Sequence, residues 1–195
     1  FGHILLGEEA EDTLLRQRRC GKTGPNPQKV EQCGMTLIDF HELALDLPEV
    51  RAIKTSHADP DGVLAINGGD GGHLRQLPLR SPGALRAELL KALEMPSRFA
   101  VCNYHMGELG QGHEWGGHFS PIGAYHSGSD TFLVLDTWIE TEPIWAPLVE
   151  LCAAMCGIDS ESGLRRGLAI VELGPSLERE VARAASALRD ADYIF

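Results

Sequence analysis

Leu37, Phe40, Leu43, Ala44 and Leu47 recur at intervals of three and four, the spacing that lines one face of an α-helix. Thr36 and Asp39 ahead of them form a capping-box pattern with Asp in place of Glu, so the helix begins after Thr36 and Pro48 ends it. Val50 to Thr55 then predicts a strand. Ser81 as N-cap with Pro82 at the first helical position opens a second helix through Leu85, Leu89, Leu90 and Leu93. Arg98 to Tyr104 reads as a buried strand, and residues 116–138 as two short strands joined by a turn. A helix from about Pro147 to Cys156, a strand from Arg166 to Leu173 and a final amphipathic helix capped by Ser176 and reaching Arg189 complete the pattern. Helices come first and a mostly antiparallel sheet follows, which predicts an α+β class.

Between these elements the chain is polar and punctuated. Residues 8–33, broken by Gly21, Gly24, Pro25 and Pro27, read as a poorly anchored lead-in within the first 33 residues, and the Gly- and Asp-rich stretch from His57 to Leu79 reads as a surface loop. A length of 195 residues fits one domain with one good core. The net charge of −11 and the lack of a basic run argue against nucleic acid or an anionic membrane as partner. No apolar run approaches the roughly 20 residues of a transmembrane helix. Five cysteines without a CxxC pair point to reduced thiols in a cytoplasmic setting. The chain starts at Phe1 rather than Met, so an N-terminally incomplete chain is expected.

The candidate chemistry lies in the hairpin. His118 sits on its first strand and Asp136 on its second, and such a pair suits nucleophilic catalysis because the carboxylate fixes the tautomer of the imidazole that takes a proton. His113 and His118 imitate a zinc-protease HExxH, but they are five apart with two glycines between, where a helix needs four. His126, just before the turn residues Ser127 to Ser129, reads as a solvated hairpin residue, and His57, Asp59 and Asp61, which resemble a weak metal patch, read better as a solvated Asp-Pro-Asp-Gly turn. Cys152 and Cys156, four apart on a helix, read as small core residues or as a weak soft-metal pair. Cys102 falls in a buried strand and reads as inert.

Phe-Ala-Val-Cys-Asn-Tyr104, the Leu-Gly-Gln111 turn, Gly-His118-Phe-Ser-Pro-Ile-Gly-Ala-Tyr125, Asp130 and Leu-Val-Leu-Asp136 resemble phytochelatin synthases. The resemblance continues through Trp145-Ala-Pro147, Ala-Met155, Asp159-Ser-Glu-Ser-Gly163 and Arg166-Gly-Leu-Ala-Ile-Val171, and covers about residues 34–172. It implies a papain-like fold and a glutathione γ-glutamylcysteinyltransferase. In that reaction a cysteine thiolate attacks the γ-glutamylcysteinyl–glycine bond, glycine leaves, and the acyl group passes to a second glutathione or to water. His118 would be base and then acid, Asp136 would orient it, and Gly117 and Ser120 would lie in the substrate-binding run. No covalently bound cofactor is implied; heavy-metal ions such as Cd or Zn would enter as metal–glutathione thiolate, the substrate.

The nucleophile does not match. The family carries it in a Cys-Gly-x-Ala type segment that opens an apolar helix well before the Gly34-Met-Thr-Leu37 match, and nothing from Phe1 to Gln32 reads so. Cys20 is followed by Gly21-Lys-Thr-Gly-Pro25, which cannot begin such a helix. Cys33, just ahead of a helix whose N-terminus lowers a thiol pKa, is the fallback. The expectation is a nucleophile upstream of Phe1. Beyond Asp136 the family's Arg and Lys give way to Thr137-Trp-Ile-Glu140-Thr-Glu142, which favours glycine release to water, or a different γ-glutamyl substrate, over polymerising transfer. The alternatives are a pseudoenzyme that binds γ-glutamyl thiols, and an unrelated cysteine peptidase that uses Cys33.

Overall fold

Thr36 closes the capping box at the first described helix: its hydroxyl accepts from the Asp39 amide at 3.1 Å, and the Asp39 carboxylate accepts from the Thr36 amide at 3.0 Å. The computed structural model describes residues 33–58, 82–111, 116–137, 141–175, 177 and 179. The expected lead-in, most of the 57–79 loop and the final helix lie outside these residues, apart from isolated positions at their ends. The described elements are α1 (Leu37–Leu45), β1 (Val50–His57), α2 (Pro82–Leu93), β2 (Arg98–His105), β3 (Gly117–His126), β4 (Thr131–Val134), β5 (Ile144–Pro147), α3 (Leu148–Met155) and β6 (Gly167–Leu173). A 3₁₀ turn, Met106–Leu109, follows β2.

The strands form one six-stranded sheet in the order β1-β6-β2-β3-β4-β5. Every pairing in it is antiparallel, and helices pack against it, so the class is α+β as expected. Strand β5 is a finding the hydrophobic pattern did not give. It is four residues long, ends in Pro147 and pairs only with β4, as an edge strand that must do without one ladder donor can. A second difference concerns Asp136, which lies two residues past Val134 in irregular chain rather than on β4.

Alternation along the central strands splits the core into two clusters. On one face Ala100, Cys102 and Tyr104 of β2 pack with Leu85 and Leu89 of α2 and with Leu148, Leu151 and Met155 of α3. On the other, Val101 of β2 and Ala169 and Val171 of β6 pack with Leu37, Phe40 and Ala44 of α1. Burying each leucine of this kind contributes about 1.5–3 kcal/mol. Gly167 permits the close pairing of β6 with β1: a Cβ there would fall 2.8 Å from the Cα of His57.

Candidate active site

Strand register decides which face His118 occupies. Tyr104 stands opposite His118 and Cys102 opposite Ser120, so these four share the face that packs on α2 and α3. Phe119, between His118 and Ser120, points the other way and stacks on Phe40 of α1 with ring centroids 5.1 Å apart. That stack anchors the start of β3 from behind. The His118 ring then meets Tyr104 edge-on at 6.3 Å, with its side chain 15% exposed.

Asp136 reaches His118 because pairing continues one step beyond β4. The Leu135 amide donates to the Pro121 carbonyl at 2.9 Å, so the next residue arrives beside the first residues of β3. His118 Nε2 lies 2.9 Å from Asp136 Oδ1, and the Asp136 side chain is wholly buried, at 0% exposed. Gln111 Nε2 donates to the other carboxylate oxygen, Oδ2. Thr137 adds a second constraint. Its hydroxyl donates to the Phe119 carbonyl at 3.1 Å and so can only accept from His118 Nε2, also at 3.1 Å. Both neighbours of Nε2 are acceptors, which places the neutral proton on Nε2 and the basic lone pair on Nδ1.

Behind this pair the Tyr104 hydroxyl meets Ser120 Oγ at 3.2 Å, both side chains fully enclosed. Burial pushes the Tyr104 hydroxyl well above the ordinary tyrosine range, with the Ser120 hydrogen bond partly opposing. Ser120 is therefore turned into the core, and Gly117 lies at the exposed start of β3.

In the sequence Arg166 reads as a strand start and as part of the family resemblance, with no role of its own. The residue is 7% exposed, and its guanidinium reaches back across the sheet, where Nη1 donates to Asn103 Oδ1 at 3.1 Å. It lies against Gly116 and Gly117, next to the catalytic candidate His118; a Cβ at Gly117 would sit 2.7 Å from Arg166 Nη2. Burial lowers its pKa, and Asp159 opposes that shift. Arg166 Nε and His105 Nδ1 are buried without a hydrogen-bond partner among the described residues. Arg166 Nε approaches Gly157, where an added Cβ would meet it at 4.0 Å and His105 Cβ at 3.6 Å. The signal in the sequence was an arginine immediately ahead of the apolar run Gly167-Leu-Ala-Ile-Val171.

The phytochelatin synthase family model matches residues 10–168. The chain belongs to the phytochelatin synthase family. Among curated relatives, glutathione gamma-glutamylcysteinyltransferase 3 of Lotus japonicus is 40% identical over 87 residues, which is 44% of this chain and 18% of the relative. Glutathione gamma-glutamylcysteinyltransferase 1 of Triticum aestivum is 37% identical over 87 residues, 44% of this chain and 17% of its own length. The Arabidopsis thaliana enzyme of the same name is 36% identical over 87 residues, with 44% and 18% covered. The chain thus matches under a fifth of the length of these phytochelatin synthase relatives.

Against that family the cysteines are the informative residues. Cys33 is exposed, three residues before the Thr36 cap. Cys102 is fully buried, and desolvation raises its thiol pKa far above the ordinary value, so it stays protonated. Cys152 and Cys156 are half-buried on and just beyond α3, and burial, followed by Cys156 itself, raises the Cys152 pKa. No group of three or more His, Cys, Asp or Glu among the described residues is arranged to hold a metal ion. Cys20, His113, Asp59, Asp61 and Glu140 lie outside the described residues, while Glu142 is exposed. His57 Nδ1 is bonded to the Arg165 carbonyl at 2.6 Å, and His126 Nδ1 to Ser129 Oγ at 2.7 Å. No described helix is long and apolar enough to cross a membrane.

Proposed function

We propose that the chain carries the general base and its orienting carboxylate of a papain-like γ-glutamylcysteinyl transferase that acts on glutathione. The observation that carries this reading is the 2.9 Å contact between His118 Nε2 and the wholly buried Asp136 carboxylate. His118 Nδ1 accepts the proton of a cysteine thiol, and the thiolate attacks the carbonyl carbon of the cysteinyl–glycine bond. The tetrahedral oxyanion collapses as the carbon–nitrogen bond breaks, His118 returns the proton to the leaving glycine amine, and a thioester is left. A second glutathione amine or a water then attacks the thioester carbonyl, losing its proton to His118; the carbon–sulfur bond breaks and the departing cysteine sulfur takes that proton back.

Arg166 supports the substrate class. A guanidinium in low-dielectric surroundings, resting against the glycine before His118 with its buried Nε unpartnered among the described residues, favours a carboxylate-bearing substrate such as a γ-glutamyl peptide. The nucleophile we assign is a cysteine outside the described residues, because Cys102 is enclosed and protonated, and Cys152 and Cys156 are half-buried on and just beyond α3. Cys33 is the alternative, favoured by its exposure ahead of a capped helix. Release to water is the favoured outcome of the second half-reaction, since Thr137 and the exposed Glu142 offer no cation to a second glutathione. Metal ions, where they are needed, enter as the metal–glutathione thiolate.

The full-length polypeptide incubated with glutathione, with and without Cd²⁺, tests this. Glycine should appear in step with γ-glutamylcysteine, and His118→Ala should abolish both. A full-length wild-type polypeptide that releases no glycine under either condition would sink the reading. Retention of activity by Cys33→Ala removes the peptidase alternative.

A further inference from the structure

We infer that Gln111 is a positioning residue of the His118–Asp136 pair: its side-chain amide sets the rotation of the Asp136 carboxylate and thereby the charge that faces the imidazole. Its backbone is fixed first. Gly110 adopts a left-handed φ of 72° that ends the 3₁₀ turn, and the Gln111 amide donates back to the carbonyl of the buried Met106 at 3.2 Å. From there Nε2 donates to Asp136 Oδ2 while Oδ1 faces His118. Both oxygens of a wholly buried carboxylate are thus held from opposite sides. The amide cannot be reversed, because Oε1 would then face an ionised oxygen. Oε1 is instead left buried without a partner among the described residues, an orientation that the charge of Asp136 explains.

Gln111 also joins the pair to the core. Its side chain acts on the Tyr104 hydroxyl, easing slightly the upward shift that burial imposes, and that hydroxyl meets Ser120 Oγ at 3.2 Å. A neutral amide suits the position. It donates without adding a charge, whereas a carboxyl there would compete with Asp136 for protons and a cation would draw Asp136 away from His118.

The test is an NMR titration of His118 in wild type, Gln111→Met and Gln111→Glu. Methionine keeps the length and removes the donor, so Asp136 loses its hold and the imidazolium part of its stabilisation. The His118 midpoint should fall by about half a unit to one unit. Glutamate places a second carboxyl beside Asp136; once both ionise, two negative charges face the imidazolium and the midpoint should rise by about as much. Thr137 beside Nε2, Tyr104 edge-on to the His118 ring and Arg166 against Gly117 are the same in every variant. Opposite shifts from one position are the expected result. A glutamine that only fills space would move both variants the same way or neither, and either outcome overturns the inference. Should Gln111→Met fail to fold, Gln111→Asn, one methylene short of Asp136, should show the same fall. The inference rests on the functional reading that His118 and Asp136 work as a pair, but the titration needs no turnover. Opposite shifts in a protein that releases no glycine would keep the inference and sink that reading.

Discussion

Gly117→Ala is the substitution whose cost the structure sets most directly. Gly117 does not adopt a left-handed conformation, unlike its neighbour Gly116 at a φ of 96°, so an alanine meets no backbone strain there. What it meets is Arg166: the new Cβ would lie 2.5 Å from Cζ and 2.7 Å from Nη2. The guanidinium must therefore leave its place and break the 3.1 Å bond from Nη1 to Asn103 Oδ1. A hydrogen bond to a charged group is worth about 1.5–3 kcal/mol, and for a chain of this size that loss lowers the melting temperature by about 3–12 °C. A double-mutant cycle read by urea denaturation isolates the cause. In an Arg166→Ala background the obstacle is gone, so Gly117→Ala should cost within about 0.5 kcal/mol of nothing, because alanine is no worse than glycine in a strand. The coupling should then equal the single-mutant cost. An equal cost in both backgrounds, or an alanine tolerated beside an intact Arg166, would refute the steric argument. In the full-length enzyme the same displacement should raise the KM for glutathione more than it lowers kcat, as expected if Arg166 holds a substrate carboxylate.

Asp136→Asn should lower the glycine-release rate by roughly 10⁴-fold. Gln111 keeps the asparagine oxygen on its own side, leaving an N–H to oppose His118 Nε2–H and moving the imidazole proton to Nδ1; a loss below tenfold in initial-rate assays would contradict it. Ser120→Ala should destabilise by about 1–3 kcal/mol in urea, because the Tyr104 hydroxyl loses a buried partner, with the KM for glutathione unchanged; a raised KM would place Ser120 in contact with substrate. His41, whose pKa is lowered by burial, sits with Nδ1 3.2 Å from Thr55 Oγ1. The folded state favours its neutral form, so this stability is present above the ordinary value of about 6.5 and is lost as the pH falls toward the lowered folded value. Urea midpoints taken from pH 8 down to about pH 5 should fall for wild type, and less steeply for His41→Gln.

The nucleophile and the base obey different rules of visibility. His118 and Asp136 were legible because the Gly-His-Phe-Ser-Pro run and the Leu-Val-Leu-Asp run lie close along the chain and a hairpin joins them. The elements were legible for similar reasons. The Thr36–Asp39 capping box, the Pro82 start of α2 and the alternation in β2 are local patterns, and local patterns fix local structure. Strand β5 was not, since four residues carry too little alternation and its identity comes from pairing with β4.

Gln111, Thr137 and Arg166 show what the sequence by itself left open. Each is a polar residue in an unremarkable place along the chain. Arg166 finds Asn103 across 63 positions because β6 pairs with β2, and Gln111 finds Asp136 across 25 because a left-handed glycine turns the 3₁₀ end back. The sequence alone determined the α+β class, the helix starts and the histidine–aspartate hairpin, since periodicity, caps and turns act between near neighbours. Only the tertiary structure decided which polar groups surround that pair, because strand order and register bring distant residues within hydrogen-bond reach, and burial then makes each of those few contacts strong.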